Sequence, residues 1–207
     1  MRVTGPVTLA TRNAGKLAEL QALCRGVLDL RLLPSDPAPP EVNEDRDSYL
    51  GNALKKARAI AAFTGGAALA DDSGLEVDAL PGELGVYSAR YGGPGLDDAA
   101  RCARLLAALR GVADGRTARF RCVLVLAQGD AWVSAEGTLD GEIAPAPRGA
   151  GGFGYDPVFL LPGRGCTLAE IAPEEKNALS HRAAAMRALV ARIRSGDVRV
   201  DSPEGES

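Results

Sequence analysis

The stretch that most constrains this chain is Ala67-Ala68-Leu69-Ala70-Asp71-Asp72-Ser73-Gly74-Leu75, where two adjacent carboxylates, a hydroxyl and a glycine follow an apolar run. The run leaves a Gly65-Gly66 turn and reads as a buried strand. The two acids are then expected at the strand's C-terminal end, where open α/β sheets bind ligands. Along a strand Asp71 and Asp72 point to opposite faces, so only one readily faces a given ligand. An ionised carboxylate there needs a cation or several donors, because burying it bare is costly. Mg²⁺, which takes oxygen ligands and shares them with phosphates, meets that need. An Asp-Ser-Gly turn with solvated acids is the competing reading.

The chain has 207 residues, 46% hydrophobic and 25% charged, enough for one substantial core. The expectation is a single two-lobed domain over residues 1–196, followed by a polar tail at 197–207. Aromatic residues make up only 4%, so Ala, Leu and Val must build the core, and the 25 glycines imply many turns. A net charge of −3 provides no basic field for a nucleic-acid polymer. A small phosphorylated ligand remains open, received by a local basic cluster or a metal. Cys24, Cys102, Cys122 and Cys166 show no CxxC pairing and read as small core residues. No apolar run approaches the ~20 residues that span a bilayer. Met1-Arg2-Val3-Thr4-Gly5-Pro6 lacks the apolar region of a signal peptide. No membrane partner and a cytoplasmic location are therefore expected.

Val7-Thr8-Leu9-Ala10 reads as the first strand. Thr11-Arg12-Asn13-Ala14-Gly15-Lys16 follows, and Leu17, Leu20, Leu23 and Cys24 then recur at helical spacing. This loop therefore opens a helix whose free N–H groups can receive an anion, with Asn13 and Lys16 as side-chain donors. It is not a P-loop, because Leu17 stands where Ser or Thr must follow the lysine, and the earlier glycine is Ala10. A capped helix with an exposed lysine is the alternative. Leu30–Leu33 reads as a short strand and Pro34–Pro40 as an irregular connection. The acidic loop Glu41–Asp47 leads to Ser48, a helix N-cap, and a helix over Tyr49–Phe63 carries Asn52, Lys55, Lys56 and Arg58. Lys55 or Lys56 is placed to reach a phosphate held by the following strand.

Gly85–Gly93 is a glycine-rich segment with the composition of a lid, and Asp97–Leu109 reads as a helix. Phe120, Cys122, Leu124 and Leu126 alternate through a strand that turns at Gly129-Asp130 and returns over Ala131–Thr138 as a hairpin. Gly149, Gly151 and Gly154 match GxGxxG in form only, because Tyr155-Asp156-Pro157 stands where a helix must open. The glycines instead permit close backbone approach to a flat ligand, with Phe153 to stack on it and Asp156 to accept hydrogen bonds. A purely structural loop is the alternative. Ser180 caps a final helix running to about Ile193, which places His181 (the only histidine) and Arg182 in its first turn. Cations there oppose the helix dipole, which an anionic or carbonyl-bearing ligand explains better than stability does.

Taken in order, these motifs resemble the inosine/xanthosine triphosphate pyrophosphatase family. The matching pieces are Thr11–Lys16, Asn52-Ala53 with Lys56, Ala70–Leu75, Gly85–Tyr91, Gly152–Pro157, and Glu174–Asn177 with Ser180-His181-Arg182. The resemblance implies an α/β fold, with a long, twisted mixed central sheet flanked by helices and an active site in the cleft between two lobes. It implies hydrolysis of dITP, ITP and XTP to monophosphate and pyrophosphate, with Mg²⁺, by a homodimer. Carried over by residue, Asp72 is the metal-linked carboxylate or base that readies water, Asp71 supports it, and Ser73 touches the nucleotide. Thr11, Arg12, Asn13, Ala14, Gly15 and Lys16 bind the triphosphate beside Lys56. Phe153, Gly154, Tyr155 and Asp156 hold the base, whose 6-keto edge is read by Lys176, His181 and Arg182. The chain departs from the family at Gly51, where the family often has Glu. The upstream metal ligand is then sought in Glu41–Glu44, with Glu44 chosen. A pyrophosphatase for pyrimidine or modified nucleotides and a non-catalytic nucleotide-binding protein are the rival readings.

Overall fold

The computed structural model describes residues 5–112 and 114–200. The expectations at Met1–Thr4 and Asp201–Ser207 lie outside the described residues. In chain order the elements are β1 (Val7–Leu9), α1 (Ala14–Cys24), β2 (Leu30–Arg31), α2 (Tyr49–Thr64), β3 (Ala67–Val77), α3 (Asp98–Ala108) and β4 (Thr117–Gln128). Then come β5 (Ala131–Ile143), β6 (Phe159–Leu161), β7 (Cys166–Thr167), α4 (Pro173–Leu179), α5 (His181–Ser195) and β8 (Arg199–Val200). The strand order is β2-β1-β3-β4-β5-β6-β7, with β8 also paired to β5. The sheet is mixed: β1 is parallel to β2 and β3, whereas β5 runs antiparallel to β6 and β8.

The chain divides into two compact units, 1–72 with 122–137 and 184–207, and 73–121 with 138–183. In the first, Leu20 and Cys24 of α1 and Ala185, Met186 and Leu189 of α5 pack on Leu9, Leu69, Leu124 and Leu126. In the second, Cys102, Leu105 and Leu109 pack with Leu75, Val77, Phe120 and Phe159. α1, α2 and α3 start where the chain supplies side-chain caps. Asn13, Ser48 and Asp97 each accept a backbone N–H of the first turn, and Gly65 closes α2 in the left-handed region at φ 65°.

Four expectations need correction. The Asp71-Asp72-Ser73-Gly74 stretch does not end a strand, because β3 continues through it to Val77. Hydrogen bonding to β4, β3's other neighbour in the sheet, carries it beyond the three residues paired with β1. The alternation expected in β4 holds over Thr117–Arg121 but gives way to unbroken burial over Cys122–Ala127, the pattern of a strand covered on both faces. The hairpin's second strand also runs five residues past Thr138, to Ile143. Finally, Arg199-Val200 of the expected tail pair with Trp132 and Ala131.

Candidate active site

In the first unit, the hydrogen bond from Ala10 N–H to Leu69 C=O sets the end of β1 against β3, and the chain then enters α1 through Thr11–Asn13. Thr11 Oγ1 accepts from Asn13 N–H, and Asn13 Oδ1 caps Lys16 N–H at 3.0 Å. Asn13 is therefore the cap of α1 as well as a candidate ligand. The N–H groups of Ala14 and Gly15 are first-turn donors for which the helix itself provides no acceptor. Arg12 turns away to the carbonyl of Pro39 at 3.1 Å. Lys16 reaches Asp71, with Nζ 3.0 Å from Oδ2 of a fully buried carboxylate.

Asp72 meets different partners. Lys56, one turn beyond Asn52 on α2, puts its Nζ 4.0 Å from Asp72 Oδ1 and 2.5 Å from Glu44 Oε1. Asn52 donates to Asp72 Oδ2 at 3.0 Å and exchanges hydrogen bonds with the backbone of Arg46, which ties the acidic loop to the helix. Burial pushes the Asp72 carboxyl above the usual range, and Lys56, Lys16 and Asn52 only partly offset it. For Lys56, burial alone would lower the pKa, but Asp71, Glu44 and Asp72 outweigh it and hold the ammonium charged. Lys55, the other lysine considered, instead pairs with exposed Asp45 at 2.8 Å.

Among the described residues, no three or more His, Cys, Asp or Glu side chains form a metal cluster by themselves. Glu44 and Asp72 fit a divalent ion in another way. Both supply carboxylate oxygens around one cationic centre, and Mg²⁺ commonly takes one or two protein carboxylates and completes its shell with water and phosphates. At Gly51 a Cβ would lie 2.9 Å from Arg46 Cβ, so the loop packs closely over a residue without a side chain.

The second unit gathers the remaining candidates. Lys176 Nζ lies 4.7 Å and the Arg182 guanidinium 5.3 Å from the centre of the Phe153 ring. Lys176 also pairs with Asp156 at 2.5 Å, and the same Asp156 oxygen accepts from Phe153 N–H at 2.8 Å. A Cβ on Gly152, at φ 72°, would overlap that carboxylate. Arg182 donates to Ser73 Oγ at 2.8 Å. His181 is buried with its ring stacked on Phe120, the centroids 4.8 Å apart.

Gly154 and Tyr155 are placed by the scaffold. Gly154 N–H donates to Asp98, its carbonyl accepts from Cys102 Sγ, and the buried Tyr155 hydroxyl donates to Ser88 C=O. The segment with lid composition forms a 3₁₀ turn over Gly85–Arg90. Asn52 has no role assigned from the sequence, and the signal for one was its place with Lys56 in a matching motif; the structure buries its amide against Asp72. Sequence reasoning also missed α4, which Pro173 at its start and Glu174 and Glu175 in its first turn could have revealed.

In this mixed α/β chain, the first unit groups lysines and a helix start suited to an anion, and the second a ring flanked by cations suited to a flat group. The chain belongs to the Ham1 family, whose model matches residues 7–192. It is 51% identical over 192 residues to a protein of Thioalkalivibrio sulfidiphilus named dITP/XTP pyrophosphatase, covering 90% of this chain and 97% of that one. A HAM1 protein from Coxiella burnetii superimposes with a TM-score of 0.82 at 41% identity, over 93% of this chain and all of that one. The nucleoside-triphosphatase / dITP/XTP pyrophosphatase of Mycobacterium abscessus does so at 0.70 and 44%, over 92% and all. Among the described residues, no helix is long and apolar enough to cross a membrane.

Proposed function

We propose that this chain hydrolyses deaminated purine nucleoside triphosphates (dITP, ITP and XTP) to the monophosphate and pyrophosphate, by attack of water on the α-phosphorus. The observation that carries the reading is the likeness, over nearly the whole chain, to relatives named dITP/XTP pyrophosphatases. Lys16, Lys56, the Asn13 amide, the Thr11 hydroxyl and the N–H groups of Ala14 and Gly15 take the phosphate oxygens, with Arg12 at the rim. Glu44 and Asp72 hold Mg²⁺, which when bound neutralises phosphate charge and makes water a better nucleophile. Asp72 accepts the proton of the attacking water, with Asp71 beside it. The new P–O bond forms as the α–β bridge breaks and pyrophosphate leaves with the electron pair.

Phe153 stacks on the base, on a loop shaped by Gly154, Tyr155 and Asp156, while Ser73 steadies Arg182. Lys176, His181 and Arg182 offer donors to the 6-keto edge. Those donors face an amino group in adenine, a mismatch worth roughly 10⁴-fold in selectivity. By the resemblance noted above, the working form is a homodimer in the cytoplasm, and sedimentation measures the first of these.

The test is pyrophosphate release from ITP, XTP, GTP, ATP, dTTP and UTP in parallel, with and without Mg²⁺. Metal-dependent release from ITP and XTP well above the rest is expected, together with its loss in Arg182→Ala. Release mainly from dTTP and UTP would overturn the base reading, and release from none would overturn the enzyme.

A further inference from the structure

Three carboxylates of the first unit, Glu44, Asp71 and Asp72, face two ammonium groups, Lys16 and Lys56. Lys56 is the more enclosed of the two lysines and sits against both carboxylates assigned to the metal. A divalent ion arriving alone must therefore displace a nearly buried ammonium, which would then lie in a low-dielectric setting with Glu44 and Asp72 taken and Asp71 shared with Lys16. A triphosphate arriving with the ion removes that penalty, because its oxygens accept the displaced lysine while the ion takes the carboxylates.

We propose that Lys56 is the resident counter-ion of the metal ligands, so that metal alone binds weakly and metal and triphosphate bind as a linked pair. This rests on Glu44 and Asp72 being the metal ligands, as read above. Linkage is reciprocal, so whatever Lys56 costs the lone metal also appears as coupling between metal and nucleotide.

The test is calorimetric titration of MgCl₂ into the nucleotide-free protein. Lys56→Met is expected to bind Mg²⁺ about tenfold more tightly than the parent, within the usual range of such couplings. Lys56→Gln, run beside it, should do the same, so the result does not hang on how one side chain fits. Lys56→Arg, which keeps the charge, should bind like the parent. Lys55→Met removes the same charge one residue away, from a lysine paired with Asp45. It should change the affinity less than twofold. Adding Asp72→Asn to Lys56→Met should abolish the gain.

Far-UV circular dichroism and a melt establish that each variant is folded. A folded Lys56→Met that binds no more tightly than the parent overturns the proposal. So does an equal gain in Lys55→Met, which reports net charge, or a gain that survives Asp72→Asn, which puts the ion elsewhere. Pyrophosphate release by the parent is read separately, so failure of the counter-ion role and failure of the assigned function give different patterns.

Discussion

At Asp72, burial works against the ionised form that the proposed reaction requires. The carboxyl titrates above its usual range in spite of Lys56, Lys16 and the Asn52 amide. Its folded-state pKa exceeds the unfolded one, so the neutral acid favours the fold. That contribution is fully present below the unfolded value of about 3.9 and is lost as pH rises through the folded value. At neutral pH the ionised side chain thus costs stability relative to a neutral isostere. Asp72→Asn is expected to abolish turnover while raising the melting temperature of the metal-free protein at pH 7.5. If the net cost is of order 1 kcal/mol, the rise is about 2–4 °C. The difference should shrink as pH falls toward about 4. A lower melting temperature at pH 7.5 would mean that the two lysines outweigh desolvation.

On the scale of one element, β3 serves two purposes along eleven residues. Its first half brings Asp71 and Asp72 to lysines, and its second half must leave room for the chain at Gly85–Ser88. Gly74 provides that room, because a Cβ there would overlap the Gly85 carbonyl and come within 2.7 Å of Ser88 Oγ. Gly74→Ala is expected to cost about 1–3 kcal/mol in urea unfolding, the usual range for overpacking against atoms that cannot move freely. A loss below about 0.5 kcal/mol would show that the segment shifts at little cost. The same strand marks where sequence reasoning faltered. Asp-Asp-Ser-Gly has the composition of a turn, and only a partner strand some 50 positions further on decides that it stays extended. Caps were legible because they act within three residues, as at Ser48 and Ser180, whereas Asn13, read as a ligand donor, caps α1 as well. The contact of Asn52 with Asp72 was not, because it joins positions twenty apart.

For the whole molecule, the cysteines report the packing of both units. Cys24, Cys102 and Cys122 are buried, and desolvation pushes the Cys24 thiol up to about 12 and Cys102 to about 11. At pH 8 a thiol reagent should therefore titrate about one group quickly, Cys166, and all four only after unfolding. Fast reaction of two or more would contradict the packing of these cores. The reading of Cys24, Cys102 and Cys122 as core followed from residue type and the lack of CxxC spacing, whereas Cys166, read the same way, is only half-buried. The pairing of acids with lysines did not follow in this way, because charge balance inside a fold is settled only when distant segments meet. The order of the strands carries one more consequence. It closes at either end with a two-residue strand, β2 and β7. Such stubs offer a neighbouring chain too few unpaired amides to template a continuing sheet. At these two ends the fold thus resists edge-to-edge addition of another chain, whereas β5 meets β6 and β8 only through its last two and first two residues, which makes its long middle the place where a further strand has most backbone to read.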